Sequence, residues 1–278
     1  MNSAQHWDSC DKTIKTFVNG FIALLIQHAD THLKGVYLHG SLAMGCFYAP
    51  KSDIDILAVA RDNLPWQEAA RLNRLIAQYA QTRPIAGNLE FSLISARVAK
   101  AVPARPTYLL HYSSLWHDRI LRGDVTYADN MVDTDLSAHM AVVRQRGICL
   151  YGDAIESTFG IVRRCDFLSS IADDLAWILE GDNICESPYY SILNICRVLH
   201  ALSQTNVVCL SKDEGARWGL AHLPPAYHAL IQKALCVYHS PYFPKSEADH
   251  KTGGTAWDKA ALLQFKDYAK SEFEKIIQ

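Results

Sequence analysis

The chain has 278 residues, 49% of them hydrophobic and 20% charged, with 27 Lys and Arg set against 29 Asp and Glu for a formal net charge of −2. That length carries two domains rather than one small core. The near balance of charge excludes a nucleic-acid binder that relies on a basic field, and no apolar run is long enough for a membrane span.

Eight cysteines, Cys10, Cys46, Cys149, Cys165, Cys185, Cys196, Cys209 and Cys236, are scattered without a C-x-x-C pair, so no zinc site is expected. They read as small core residues in a reducing cytoplasm. The polar start from Met1 to Asp8 reads as lacking a secretion signal. The expected partner is a small molecule, with no nucleic acid and no membrane, and the chain is expected to act as a monomer.

Ile14, Phe17, Val18, Phe21, Leu24 and Leu25 recur at helical spacing and predict an amphipathic helix ending between His28 and His32. Gly35 punctuates the start of a first strand, Val36 to His39, and a second strand follows Ser52. Pro65 opens a helix whose buried face is Trp66, Ala69, Leu72, Leu75, Ile76 and Tyr79, closed by Arg83-Pro84 and Gly87-Asn88. A third strand spans Leu89 to Ile94. Residues 96–134 look irregular and aromatic, with Tyr108, His111, Tyr112 and Trp116, and lead into a second domain. From Asp135 the pattern is helical: a helix through Arg146, a connector bracketed by Gly147 and Gly152, and helices at 166–180, 188–202, 211–221, 225–238 and 255–277, which together read as a bundle.

Chemistry concentrates at His39-Gly40-Ser41 and at Ser52-Asp53-Ile54-Asp55-Ile56-Leu57. Side chains alternate along a strand, so Asp53 and Asp55 share one face while Ile54 and Ile56 enter the core. Paired carboxylates suit a hard cation such as Mg²⁺, and a Gly-Ser turn into a helix offers N–H groups and a hydroxyl to phosphates. Taken bare, each half is more often a turn or a cap. Glu90 shares a face with Ser92 and Ile94, so it joins the two aspartates if its strand pairs beside theirs; otherwise it is a solvent-facing edge residue.

The order strand, Gly-Ser, helix, acid-bearing strand resembles the DNA polymerase β-type nucleotidyltransferases. Within that superfamily the wording resembles the aminoglycoside adenylyltransferases that modify streptomycin and spectinomycin. Asp135-Leu136, Asp166, Asn194-x-x-Arg197, Lys212-Asp213, Trp218, Leu223-Pro224, Tyr227 and Tyr238 follow the family's order. The resemblance implies an α/β nucleotidyltransferase domain over 1–130, built on a mixed sheet with flanking helices. A helical domain over 131–278 would close over nucleotide and acceptor, with nucleotide binding first.

It also implies transfer of AMP from ATP to an antibiotic hydroxyl, giving resistance. Asp53, Asp55 and Glu90 would be the catalytic and Mg²⁺-holding acids, with two Mg²⁺ ions and Glu90 as base. Gly40, Ser41, Ser52, Asp135, Arg197, Lys212 and Tyr238 would hold the nucleotide, Arg197 finding an anionic partner because its helix is otherwise apolar. The acceptor would meet Glu90, Trp116, Trp177, Asp182 and Glu186, with Asp173 and Asp174 as further candidates that serve equally well as solvated charges.

Family members that accept both drugs have a Trp and an acid where ungapped counting puts Leu115 and Asn183; Trp116 and Asp182 stand one residue away. Taken literally, this favours spectinomycin over streptomycin. The alternatives are a nucleotidyltransferase with another hydroxyl acceptor, such as a protein side chain or a metabolite, and a non-catalytic nucleotide-binding module.

Overall fold

The structure, a computed structural model, describes residues 4–29, 32–128 and 131–277. Its contacts divide the chain into an N-terminal unit, Gln5–Val162, and a C-terminal unit that includes Arg163–Gln278.

The N-terminal unit runs α1 (Lys12–Ala29), β1 (Leu33–His39), α2 (Gly40–Met44), β2 (Ile54–Ala60), α3 (Trp66–Ala80), β3 (Leu89–Ser95), α4 (Ala96–Ala101), β4 (Thr107–Tyr108), β5 (Leu110–Tyr112), α5 (His117–Arg122), β6 (Met131–Val132), α6 (Leu136–Arg146), β7 (Ile148–Gly152) and α7 (Ile155–Thr158). Five strands form a mixed sheet in the order β5-β3-β2-β1-β7, and β4 pairs with β6 apart from it. Only β2 and β3 run parallel, joined through α3; the other neighbours in the large sheet are antiparallel.

Strand alternation decides what each face of this sheet can do. Val36, Leu38, Ile54, Ile56, Ala58, Leu89, Phe91 and Leu93 are buried in one core with Phe17, Phe21 and Leu25 of α1 and Leu72 and Ile76 of α3. Phe21 meets Phe91 edge-on with ring centres 5.1 Å apart, and Phe17 stacks on Tyr79 at 5.1 Å. His39, Asp55, Leu57, Glu90 and Ser92 therefore take the opposite face.

Several boundaries depart from expectation for physical reasons. Gly35 lies inside β1 at a register shift, where a side chain would collide with the Tyr37 hydroxyl. Trp66, expected in the buried face of its helix, is 61% exposed because it is the first residue of α3 and precedes the turns that meet the sheet. Residues 96–134 hold two short helices and three short strands rather than irregular chain.

Residues 131–162 group with the N-terminal unit rather than with the helical part. The glycine-bracketed stretch is a strand, β7, paired with β1; Tyr37 Oη donates to the Asp153 carbonyl at 2.8 Å and lies 2.9 Å from Thr158 Oγ1, with which it shares a hydrogen bond.

The C-terminal unit comprises α8 (Arg164–Leu179), α9 (Pro188–Ser203), α10 (Lys212–His222), α11 (His228–Tyr238), α12 (Glu247–Thr252) and α13 (Lys259–Ile277). Helix α9 is its axis, with Ile192, Leu193, Ile195, Cys196, Val198 and Leu199 buried and with all five other helices packed on it. α12, absent from the helical expectation, starts at Ser246, whose side chain accepts from Asp249 N at 3.1 Å. All eight cysteines are free thiols. Among the described residues no helix is long and apolar enough to cross a membrane.

Candidate active site

Three side chains line up across neighbouring strands. His39 of β1 stands opposite Asp55 of β2, and Asp55 stands opposite Glu90 of β3. Residues in register on adjacent strands point to the same side, so the pairing required to unite Glu90 with the aspartates is present. Asp53, two residues before Asp55, completes the group at the foot of β2.

Two glycines are fitted around these acids. Gly40 adopts φ +63°, and a Cβ there would run into the Asp55 carboxylate. A Cβ on Gly87 would run into the Ser52 carbonyl and come within 2.8 Å of Asp53 Oδ1. The turn after Gly87 then donates Asn88 N–H to Asp53 Oδ1 at 2.5 Å. Gly40 and the Gly87-Asn88 turn are thus as much a part of the acid site as the carboxylates.

The three carboxylates repel one another. Burial first, then the charges of Asp53 and Asp55, push the Glu90 carboxyl up to about 9. His39 is 5% exposed, and burial together with His139 of α6, whose ring centre is 5.0 Å away, holds it well below its ordinary value. It therefore supplies no positive charge to offset the acids at neutral pH. The donor set is all oxygen and short of positive charge, which suits a hard divalent cation. Among the described residues, however, no group of three or more His, Cys, Asp or Glu side chains is arranged to hold a metal ion. The joint ligand set Asp53, Asp55 and Glu90 is therefore a matter of chemistry and strand register here, not of an assembled cage.

Of the expected phosphate ligands in this unit, Gly40 and Ser41 open α2, while Ser52 is buried and its Oγ accepts from Tyr48 N at 3.0 Å. Ser52 thus shapes the turn that delivers Asp53. Asp135 caps the start of α6, its N–H donating to Asp133 Oδ1 at 3.0 Å.

Beyond Glu90 on the same strand face, Ser92 Oγ and His111 Nδ1 are 2.9 Å apart. His111 borders a cavity of about 190 Å³ walled by Tyr108, Trp116 and Tyr127. Arg119 stacks its guanidinium 4.6 Å above the Trp116 ring, so one face of this expected acceptor-binding aromatic already carries a cation.

In the C-terminal unit Arg197 Nε donates to the Leu210 carbonyl at 2.8 Å and Nη1 to Asn194 Oδ1 at 2.9 Å. Both are neutral oxygens; along this chain of bonds a carboxylate, Asp174, is reached through Asn194. Gly215 makes this possible, since a Cβ there would approach Arg197 Cγ to 2.6 Å. Lys212 opens α10 behind a capping box formed by Ser211 and Glu214, with Nζ 5.4 Å from the centre of the Tyr238 ring. Arg197, Lys212 and Tyr238 therefore belong to one neighbourhood of α9, α10 and α11.

The acceptor candidates of this unit are less closely grouped. Asp182 is exposed and bound to Lys259 Nζ at 2.5 Å, which holds its carboxyl below the usual range. Trp177 is 39% exposed, its carbonyl receiving Asn183 Nδ2 at 2.8 Å, and Glu186 is exposed. Asp174 is half-buried, with both carboxylate oxygens accepting hydrogen bonds from α9. Sequence periodicity missed His139 and Tyr190, whose partners lie far along the chain; the apolar surroundings of each were the only signal available.

Residues 157–259 match the family model of the aminoglycoside adenylyltransferase C-terminal domain. A search of curated proteins found no match. Among solved structures, the chain resembles the spectinomycin adenyltransferase AAD(9) from Enterococcus faecialis, crystallised with ATP and spectinomycin. The TM-score is 0.72 at 17% identity, over 94% of this chain and 99% of that one. At that identity the likeness establishes the fold. A toxin–antitoxin structure with AMP-PNP also matches, at 18% identity and TM-score 0.28 over 60% of this chain and 94% of that one, too distant to carry an argument.

Proposed function

We propose that the chain is an aminoglycoside adenylyltransferase, a reading supported by the family-model match at residues 157–259, and that it transfers AMP from ATP to a hydroxyl of spectinomycin or a close aminocyclitol, releasing pyrophosphate. The observation that carries this reading is the alignment of Asp55 with Glu90 on parallel neighbouring strands, with Asp53 just before the first strand and close enough for its charge to act on Glu90. An AAD(9)-like fold supports it independently of the motif.

Glu90 is the base that takes the proton from the attacking hydroxyl, which requires its carboxyl to ionise. Asp53 and Asp55 hold Mg²⁺ in this reading, and the cation supplies the positive charge that phosphoryl transfer needs. Asn88 N–H fixes the Asp53 rotamer, and Gly40 leaves room for the Asp55 carboxylate. Within the N-terminal unit, Gly40, Ser41, Ser52 and Asp135 are the candidate nucleotide ligands; within the C-terminal unit, the candidates are Arg197, Lys212 and Tyr238. Ser52 contributes through the turn it shapes. Lys212 and Arg197 meet the triphosphate as cations already positioned by their own helices.

Spectinomycin is favoured over streptomycin on electrostatic grounds. A more highly charged acceptor gains most from free carboxylates and bare aromatic faces. Trp116 already carries Arg119, and Asp182 already carries Lys259.

The test is pyrophosphate release from ATP and Mg²⁺ with spectinomycin and streptomycin in parallel, with Glu90→Gln as control. Turnover with spectinomycin, lost in the variant, is expected. Turnover with streptomycin alone refutes the acceptor preference, and turnover with neither refutes the acceptor class.

A further inference from the structure

Asp174 of α8 is a half-buried carboxylate whose two oxygens both accept from neutral donors of α9. The Tyr190 hydroxyl donates to Oδ1 at 3.0 Å and Asn194 Nδ2 to Oδ2 at 3.2 Å. The bonds do not stop there. Asn194 Oδ1 receives Arg197 Nη1 at 2.9 Å, and Arg197 Nε reaches the Leu210 carbonyl at 2.8 Å, one residue before the Ser211 cap of α10. The first residue of that helix, Lys212, holds its ammonium 5.1 Å from the centre of the Tyr190 ring, the same ring whose hydroxyl binds Asp174.

The charged and titratable groups around Asp174 are therefore Tyr190 and Arg197 from α9 and Lys212 from α10. Asp173 lies beside it on α8. Asp213, next to Lys212, is already paired with His239 of α11 at 2.7 Å. Arg197 and Lys212 favour the ionised carboxylate, but burial outweighs them and holds the carboxyl above its ordinary value. An anion so placed balances the charge of two cations on neighbouring helices.

We infer that Asp174 is the resident counter-anion of Arg197 and Lys212, and that a nucleoside triphosphate arriving at those cations makes it take up a proton. This rests on the reading of Arg197 and Lys212 as triphosphate ligands. The triphosphate brings several negative charges to the cations that now keep Asp174 ionised, so burial is left unopposed and the charged form becomes the costly one. The proton comes from solvent. Tyr190 can turn its hydroxyl from donor to acceptor and keep the hydrogen bond, so the helix contacts survive the change. Nucleotide binding is thereby coupled to pH through a residue that need not touch the nucleotide.

The experiment is calorimetric titration of the whole protein with Mg²⁺–ATP in two buffers of different ionisation enthalpy, which yields protons taken up per nucleotide bound. Asp174→Asn retains an acceptor for Asn194 and a donor for Tyr190 but has no charge to lose. The expected result is a proton uptake in the wild type that exceeds that of Asp174→Asn. The variant should also bind ATP about three- to tenfold more tightly, a like-charge effect.

Equal uptake in both proteins overturns the inference, as does weaker binding by Asp174→Asn. A merely structural role would weaken binding in Asp174→Asn and Asp174→Ala alike and leave proton uptake unmoved. Lys212→Gln separates the premise from the inference. If it leaves ATP affinity unchanged, the triphosphate reading fails and the inference falls with it; if it weakens binding while Asp174→Asn changes nothing, the inference alone fails.

Discussion

Glu90→Gln should make the protein more stable at neutral pH while abolishing its activity. In the folded protein the Glu90 carboxyl sits at about 9 against an ordinary 4.5, so between those values the folded state keeps a proton that the unfolded chain releases. A raised acid in the folded state means stability falls as pH rises from 4.5 towards 9. At pH 7 the gap from 4.5 is about 2.5 units, and at about 1.36 kcal/mol per unit the penalty is about 3 kcal/mol.

Glutamine is neutral in both states and avoids that penalty, so the variant gains about 3 kcal/mol at pH 7 and nothing near pH 4. For a unit of this size that corresponds to a Tm increase of about 6–12 °C. The assay is thermal unfolding of both proteins from pH 4 to pH 8, without Mg²⁺ or nucleotide. Activity should meanwhile fall about 10²–10⁴-fold, as expected for loss of a general base. A Tm difference that stays constant across the pH series, or a less stable variant at pH 7, refutes the picture of Glu90 as a carboxyl held neutral by burial and two neighbouring acids.

Asp53→Asn keeps an acceptor for Asn88 N–H, so its Tm should stay close to wild type while kcat drops at least about a hundredfold; a parallel loss of Tm would mean that Asp53 is structural. Gly87→Ala forces a Cβ into the Ser52 carbonyl and should cost about 1–3 kcal/mol in denaturant unfolding, and an undisturbed midpoint would show that this turn can shift away. Lys259→Ala frees the exposed Asp182 carboxylate; KM for streptomycin should fall relative to that for spectinomycin, and unchanged KM values for both would remove Asp182 from the acceptor site.

The strand face shared by Asp55 and Glu90 was more legible than the boundaries. Asp53, Asp55 and Glu90 could be placed on one face because strand alternation is a two-residue rule readable from a few letters, and the register of β2 on β3 supplied the only missing fact. The long helices of the C-terminal unit were legible for the same reason, through their apolar period. β7 was not, because four residues between two glycines, half-exposed at a sheet edge, carry too little pattern to distinguish strand from connector. The bond that Ser52 Oγ accepts from Tyr48 N was not legible, because it is a matter of turn geometry. Asp174 looked like one of several surface acids, since donors 16 and 20 residues away leave no local mark.

The attachment of β7 to β1 also governs how the chain tolerates being cut. A fragment ending near residue 130 would strip β1 of one partner, leaving those backbone N–H and C=O groups of residues 35–38 that face β7 unpaired along a sheet edge. It would also remove Asp153 and Thr158, the two anchors of the buried Tyr37 hydroxyl. Such an open, apolar edge is a template for sheet-to-sheet aggregation. A fragment ending at Val162 retains its own edge cover, so proteolytic trimming should leave a product that ends after α7 and lose any that ends before α6.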